Sequence, residues 1–412
     1  MEKIPFTSIT RRIAGAGALL AAATLAACGG GGGGSGPAPM GTLQLSMTDA
    51  PACYEHVMVN VAKLRVNVGA DSSTPDSDGG WKDIVPPNAP LLVDLVNLTN
   101  GQLQDLGSAS VPAGTYHQIR LVLADTGNSV TPVGGTAQPL KTPSGQQSGL
   151  KINGDFTVSE NQTSDLLMDF DACKSIVLTG NGKYILKPVV RLSAKPAGGI
   201  QGYVSSSVAQ GTATATLTAV NVSAQQDGSV VRSTIPDASG KFVLSYLPSG
   251  TYTVVITGSG VTASGNVDAT KGAATRVVDS VPVGTSTVSL NTSTSTLVLN
   301  PSNLGTVTGT VNTSSTSTTT VGDNITISAR QTVGTRLVEV NATRPDDTQK
   351  YTLHLPLAAP ELQLFSASGL PAPTADAAHA AKYTIRASGA GLTTKDTSTD
   401  LGSGDQVVDF SY

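Results

Sequence analysis

Apolar and polar residues alternate along most of this chain with a period of two, the spacing of strands that bury one face. Leu43, Leu45 and Met47 interleave with Thr42, Gln44, Ser46 and Thr48, and Val57, Val59 and Val61 repeat the pattern. The phase slips before Leu64, Val66 and Val68, which predicts a β-bulge at Ala62 or Lys63 if one face is to stay buried. Ile119, Leu121 and Leu123 form another strand behind the turn Pro112-Ala113-Gly114-Thr115-Tyr116. Further strands are expected at Gly149–Ile152, Asp165–Phe170, Ser175–Leu178 and Tyr184–Leu192, with one short helix near Leu91–Asp105. The expected fold class is all-β, with three antiparallel β-sandwiches in tandem.

The second and third sandwiches read as a diverged pair. Ile200-Gln201-Gly202-Tyr203-Val204 opens the first copy, followed by Asp237-Ala238-Ser239-Gly240-Lys241-Phe242-Val243-Leu244 and Leu247-Pro248-Ser249-Gly250-Thr251-Tyr252. Asp and Gly permit the reversal, Phe242 and Leu244 point inward, and Pro-Ser-Gly turns the chain into the next strand. Thr306-Val307-Thr308-Gly309-Thr310-Val311 echoes the opening, and Asp346-Asp347-Thr348-Gln349-Lys350-Tyr351-Thr352-Leu353 echoes the hairpin at an offset of 109. Tyr383-Thr384-Ile385 parallels Tyr252-Thr253-Val254 at an offset of 131, so 22 extra residues fall in the Ala/Pro-rich Leu357–Ala380 stretch, read as a loop insertion. The third copy lacks the glycine of the first hairpin turn. These signals give a leader over 1–27, a tether over 28–40, sandwiches over 41–195, 198–285 and 305–412, and between the last two a Ser/Thr-rich segment, 286–304. That segment reads as a linker, although an edge strand suits it equally.

Composition agrees with strands and turns: charged residues are 13% and aromatics 4% of the 412-residue chain. Net charge is −4 with no basic cluster after Arg12, which excludes an electrostatic case for nucleic acid. Lys3, Arg11 and Arg12 precede an apolar run, Ile13–Ala27, too short for the roughly 20 residues of a membrane span. It reads as an export signal.

Three family resemblances sit on this frame. Leu25-Ala26-Ala27-Cys28 resembles the lipobox of bacterial lipoproteins, which implies a diacylglycerol thioether and an amide-linked acyl chain on Cys28, holding at about 0.8 kcal/mol per buried methylene. Gly29 is not acidic, which by the same resemblance favours the outer membrane, and Gly29–Gly34 with the next five residues, Ser-Gly-Pro-Ala-Pro, forms a flexible tether reaching roughly 20 Å. An ordinary secretory signal with a soluble product is the alternative. Thr42–Pro51, Val111–Tyr116 with Ile119-Arg120-Leu121, and Leu167–Ala172 with Lys187-Pro188 beyond it resemble a bacterial family known as domain of unknown function 4382, often exported and without an assigned activity. The 198–285 segment resembles carboxypeptidase regulatory-like, or transthyretin-like, sandwiches, which implies support or binding.

Candidate chemistry is sparse. With Cys28 lipidated, Cys53 and Cys173 are the candidates for a disulfide in an oxidising envelope, closing a loop of 120 residues worth at most about 4–5 kcal/mol; two buried thiols are the alternative. His56, His117, His354 and His379 form no zinc spacing, no nucleophile elbow is present, and Ser148 with Lys151 is an S-x-x-K coincidence in a loop. Asp71, Asp76 and Asp78 could offer oxygen ligands to calcium, with a solvated loop as the plainer reading. Trp81 could be a ligand platform or core. No cofactor is implied. The resulting expectation is a non-enzymatic, lipid-anchored envelope lipoprotein of the outer membrane presenting binding or structural sandwiches to a protein or glycan. Alternatives are an envelope hydrolase or carbohydrate-processing accessory using Asp169 and Asp171, a calcium-binding adhesin-like protein, or a structural stalk.

Overall fold

The alternation carries directly into strand pairing. The computed structural model describes residues 38–49, 54–71, 73–205, 208–210, 213–215, 220–261, 267–312, 325–389 and 392–412. The leader, Cys28, Cys53 and most of the tether lie outside them. Met40–Asp49 buries Leu43, Leu45 and Met47 completely and sits between Thr163–Phe170, which runs parallel to it, and Gln104–Pro112, which runs antiparallel. Val190–Ala194 completes this four-stranded sheet. The sheet across the core is organised around Tyr54–Val66, which pairs with Gly114–Leu123, Leu91–Asp94, Ser129–Pro132 and Lys82–Ile84. Its register against Gly114–Leu123 shifts between Val61 and Lys63, the predicted bulge, so Val61 and Leu64 both reach the core. Val68, beyond the strand end, is exposed.

The structure corrects three local expectations in this part. Leu91–Asp105 is not a helix but a strand, Leu91–Asp94, a single 3-10 turn, Leu95–Leu98, and the start of Gln104–Pro112. Val93 alternates with its neighbours against Val59, Asp94 caps the turn by accepting Val96 N, and Asn100 and Gly101 at positive φ end it. A short apolar run does not by itself distinguish these outcomes. The strand expected from Ser175 starts at Ile176, because Asp171 caps a four-residue helical turn, Ala172–Ser175. Tyr184–Leu192 splits into Tyr184–Leu186 and Val190–Ala194 around Pro188, which has no N–H to donate.

The described chain has three apolar cores. The first draws on residues from Leu43 to Leu186 and the second centres on Ile200, Phe242, Leu244, Tyr252, Val254 and Val278. The third is built from Val307, Ile325, Ile327, Leu353, Tyr383 and Ile385. Each fully buried Leu, Ile or Phe contributes about 1.5–3 kcal/mol. The second and third cores share strands. Val254, Ile256 and Val278 face the second core, whereas Val255 and Val277, their neighbours in sequence, belong to the third. One sheet is continuous through both, in the order Lys350–Pro356, Pro301–Asn312, Val267–Ala273, Gly250–Val261, Arg276–Val283, Glu361–Leu364 and Thr374–Ala375. Residues 39–412 accordingly form a single compact unit.

Two segments read as connections are built into this body. Thr287–Ser289 is an edge strand parallel to Gly198–Tyr203, and Leu290, Leu297 and Leu299 are buried in the second core, so the edge-strand reading of 286–304 holds for its first part. Within the 22-residue insertion, Glu361–Leu364 adds parallel to Arg276–Val283 of the preceding copy. Its Glu361 carboxylate lies 2.7 Å from Arg276, both groups being buried, and Asn300 donates to the other carboxylate oxygen at 2.6 Å.

The recurrence extends to single hydrogen bonds. Asp237 Oδ1 accepts from Ser239 N, Ser239 Oγ and Lys241 N, and Asp346 Oδ1 accepts from Thr348 N, Thr348 Oγ1 and Lys350 N. In each copy the residue before the lysine, Gly240 or Gln349, offers its carbonyl to the opening strand, at Val204 N or Val311 N. A tyrosine hydroxyl also bonds a proline carbonyl in all three cores: Tyr116 to Pro112, Tyr252 to Pro248 and Tyr383 to Pro356. In the first two, where the proline lies four residues upstream, this resembles the tyrosine corner of sandwich proteins.

Candidate functional site

The three cores meet through polar contacts, and a cleft opens where they do. Asp169, on Thr163–Phe170, is buried with its carboxylate 2.6 Å from Arg232 of the second module. Burial pushes its pKa up, against the opposing pull of Arg232. Asn100 accepts from Val243 N at 2.9 Å, and Gln225 pairs with the backbone of Glu339 in both directions, at 2.7 and 2.9 Å. Lys174 lies 3.3 Å from both Asp171 and Glu339, bridging the first core to the third.

Beside this bridge is a cavity of about 380 Å³. Val220, Val230, Ile235, Leu304, Val340 and Pro356 supply apolar surface, and Asn221, Ser223, Asn341, His354 and the Lys174 bridge supply hydrogen-bonding groups. Asn221 and Ser223 flank the core residue Val222, so the face turned away from the second core forms cleft wall, with Val220 reaching both core and cleft. Burial alone would lower the Lys174 ammonium, but the charges of Asp171 and Glu339 more than reverse this and hold it raised. It is therefore a fixed cation, not a neutral amine. His354 Nδ1 stands 3.5 Å from Thr306 Oγ1. An apolar floor with a few fixed polar groups is the chemistry of a binding cleft.

The residues singled out from the sequence are dispersed. Asp71 bonds Ser73 N and Oγ, Asp78 accepts from Asn67 Nδ2 and Gly80 N, and Asp76 pairs with Arg120. The three calcium candidates thus face separate partners. No group of three or more His, Cys, Asp or Glu among the described residues is arranged to hold a metal. Trp81 is buried, its Nε1 donating to Pro75 O at 2.9 Å and its ring 4.0 Å from the guanidinium of the fully buried Arg120. Arg120 therefore holds the Asp-rich loop through Asp76, Thr74 O and Trp81.

Asp169 and Asp171, the carboxylates offered for an envelope hydrolase, are both engaged: Arg232 pairs with the first, and the second caps a turn and pairs with Lys174. Asp169 is engaged across a module boundary, whereas Asp171 lines the cleft beside its Lys174 partner. Ser148 sits in a turn and Lys151 on the exposed face of Leu150–Val158, so no helix aligns the S-x-x-K pair. His56, His117 and His379 each place Nδ1 within 2.7 Å of an aspartate. Cys173 is half-buried on the capped turn at the cleft. The cleft escapes a reading of the sequence because its walls come from separate segments of all three modules. The signal within reach is the pair of consecutive apolar runs, Val254-Val255-Ile256 and Val277-Val278, which mark strands buried on both faces.

Residues 40–188 match the family described as "Domain of unknown function (DUF4382)". No curated protein matches the chain. Among solved structures, the Bacillus anthracis TIE protein aligns at 10% identity over 91% of this chain and 51% of that one, with a TM-score of 0.18. The streptococcal ancillary pilin aligns at 11% identity over 90% of this chain and 98% of that one, also at 0.18. The Corynebacterium diphtheriae major pilin SpaA aligns at 10% over 89% and 99%, again at 0.18. The chain thus spans about half the length of the TIE protein. Among the described residues no helix is long and apolar enough to cross a membrane.

Proposed function

We propose that this chain is an exported, non-enzymatic lipoprotein, held at the outer membrane by acyl chains on Cys28 and presenting a rigid body of fused β modules whose three-way cleft binds a protein or glycan. The observation that carries the address is Leu25-Ala26-Ala27-Cys28 directly after a basic, then apolar, leader and directly before a glycine run. The glycine run separates anchor from body at little energetic cost. Binding is favoured over hydrolysis by the sealing of Asp169 with Arg232 and the pinning of Lys174 between two carboxylates. The body's rigidity rests on the shared sheet and on buried pairs between modules.

A Cys53–Cys173 disulfide belongs to the same reading. The parallel register of Met40–Asp49 against Thr163–Phe170 ends at Asp49 opposite Phe170, and Asp49 Oδ1 accepts from Ala172 N at 3.1 Å. Cys53 and Cys173 come within four residues of that paired end.

The test is fractionation of cells of a two-membrane bacterium making the full chain, with metabolic labelling by a fatty-acid analogue. Wild type should label and require detergent for release, and Cys28→Ala should lose the label and either accumulate as precursor or appear soluble. A Cys28→Ala protein that still labels and still sediments with membranes overturns the anchor.

A further inference from the structure

Four arginines are buried among the described residues: Arg120, Arg232, Arg276 and Arg330. Three have carboxylate partners, Asp76, Asp169 and Glu361 respectively. Arg330 makes no hydrogen bond or ion pair with any described residue, and its Nε is sealed from solvent without an acceptor. The residue is 8% exposed. Burial, and after it repulsion from Arg386, disfavours its charged form more than the charges of Glu339 and Asp396, neither of them bonded to it, favour it, yet a guanidinium stays protonated in proteins. A buried charge without a partner is costly, so a group that lacks one in the free chain is a site awaiting an anion.

The surroundings of Arg330 fit that role. It lines a cavity of about 370 Å³ together with Thr332, Lys382, Thr384, Ser398 and Asp400. Arg330 stands directly opposite Thr384 and Thr384 directly opposite Ser398, so the three share one sheet face as a cross-strand row. The nearby carboxylates are engaged elsewhere. Asp396 holds Arg386 through two bonds of 2.7 and 2.6 Å, Asp400 caps Gly402 N at 2.9 Å, and Glu339 pairs with Lys174. Asp376 pairs with His379 at 2.7 Å, and Lys382 Nζ bonds Ala378 O at 3.0 Å.

We infer that this cavity is an oxyanion site, in which the Arg330 fork and the hydroxyls of Thr384 and Ser398 receive a carboxylate, sulfate or phosphate group of a small ligand. It lies in the third module and is independent of the three-way cleft and of the lipid anchor. Arginine suits this task because its planar donors match two oxygens of one anion.

The test is thermal unfolding of the full chain titrated with sodium sulfate, sodium phosphate or sodium glucuronate against sodium chloride of equal ionic strength. Wild type should show a saturable rise in midpoint of about 3 °C or more with at least one anion. A response to sulfate and phosphate assigns a tetrahedral ligand group; a response to glucuronate alone assigns a carboxylate. Arg330→Met should lose the saturable part, and Thr384→Val should weaken binding by about fivefold while leaving the fold intact. The absence of a saturable shift in wild type for all three anions overturns the site, as does an equal shift in wild type and Arg330→Met. If Arg330→Met does not fold, an unchanged affinity in Thr384→Val overturns it instead.

Discussion

The hairpins at Asp237–Lys241 and Asp346–Lys350 make the same bonds with different residues at their tightest point. Both place an aspartate oxygen over the turn and both need a left-handed residue before the lysine: Gly240 at φ +82 in the first and Gln349 at φ +63 in the second. At Gly240 an added Cβ would fall 2.2 Å from Val204 O, so the facing strand leaves no room. At Gln349 the facing strand, Pro301–Asn312, accommodates a Cβ while keeping the Val311 N bond to Gln349 O. The shared element of the repeat is thus the aspartate-centred bond set, and the glycine is a local steric requirement of one copy. The copies also differ beyond the hairpin, since only the second carries the insertion that reaches back to Arg276.

The largest effect should come from breaking that reach. Glu361→Ala leaves Arg276 buried without its carboxylate and should cost about 3–5 kcal/mol in urea unfolding, a loss for which the first copy offers no equivalent site. Exchanging the turn residues should be unequal. Gly240→Gln should lose about 2–3 kcal/mol through the clash and the left-handed strain, whereas Gln349→Gly should stay within about 1 kcal/mol of wild type; similar losses from both would mean the two facing strands are equally tight.

The smallest effect concerns acid. Burial pushes the carboxyls of Asp237 and Asp346 up, but the bonds from the serine or threonine and the lysine N–H outweigh it and hold both below the ordinary value. Their stabilisation is therefore complete above about pH 4 and fades as pH falls through the lowered folded values. Asp237→Asn and Asp346→Asn should each flatten the decline in unfolding midpoint between about pH 5 and 2.5 by a similar amount. A change in only one of them would separate the two turns energetically.

Much of the fold is legible in the sequence where the cause is local. Leu43, Leu45 and Met47 point inward as their alternation requires, the slip before Leu64 is a bulge, and the aspartate turns recur at the expected offset. The errors fall where an apolar run has two local solutions, as at Leu91–Leu98, or where a polar residue is satisfied by a distant partner. Asp169 reads from its strand as a candidate catalytic carboxylate, and Arg232, 63 residues on, makes it a structural ion pair. Asp71, Asp76 and Asp78 cluster in sequence but each turns to its own donor: Asp71 to Ser73 and Asp78 to Asn67 and Gly80 nearby, Asp76 to the distant Arg120.

Sequence by itself determined the all-β class, the strand phases and the repeated turns, since each depends on residues within a few positions of one another. Tertiary structure alone decided that the second and third modules share a sheet and that a cleft opens where three cores meet. It also decided that one of the four buried arginines among the described residues is left without a partner. Those outcomes depend on pairing between segments tens to hundreds of residues apart, and a period-two pattern specifies which face of a strand is buried without specifying what buries it.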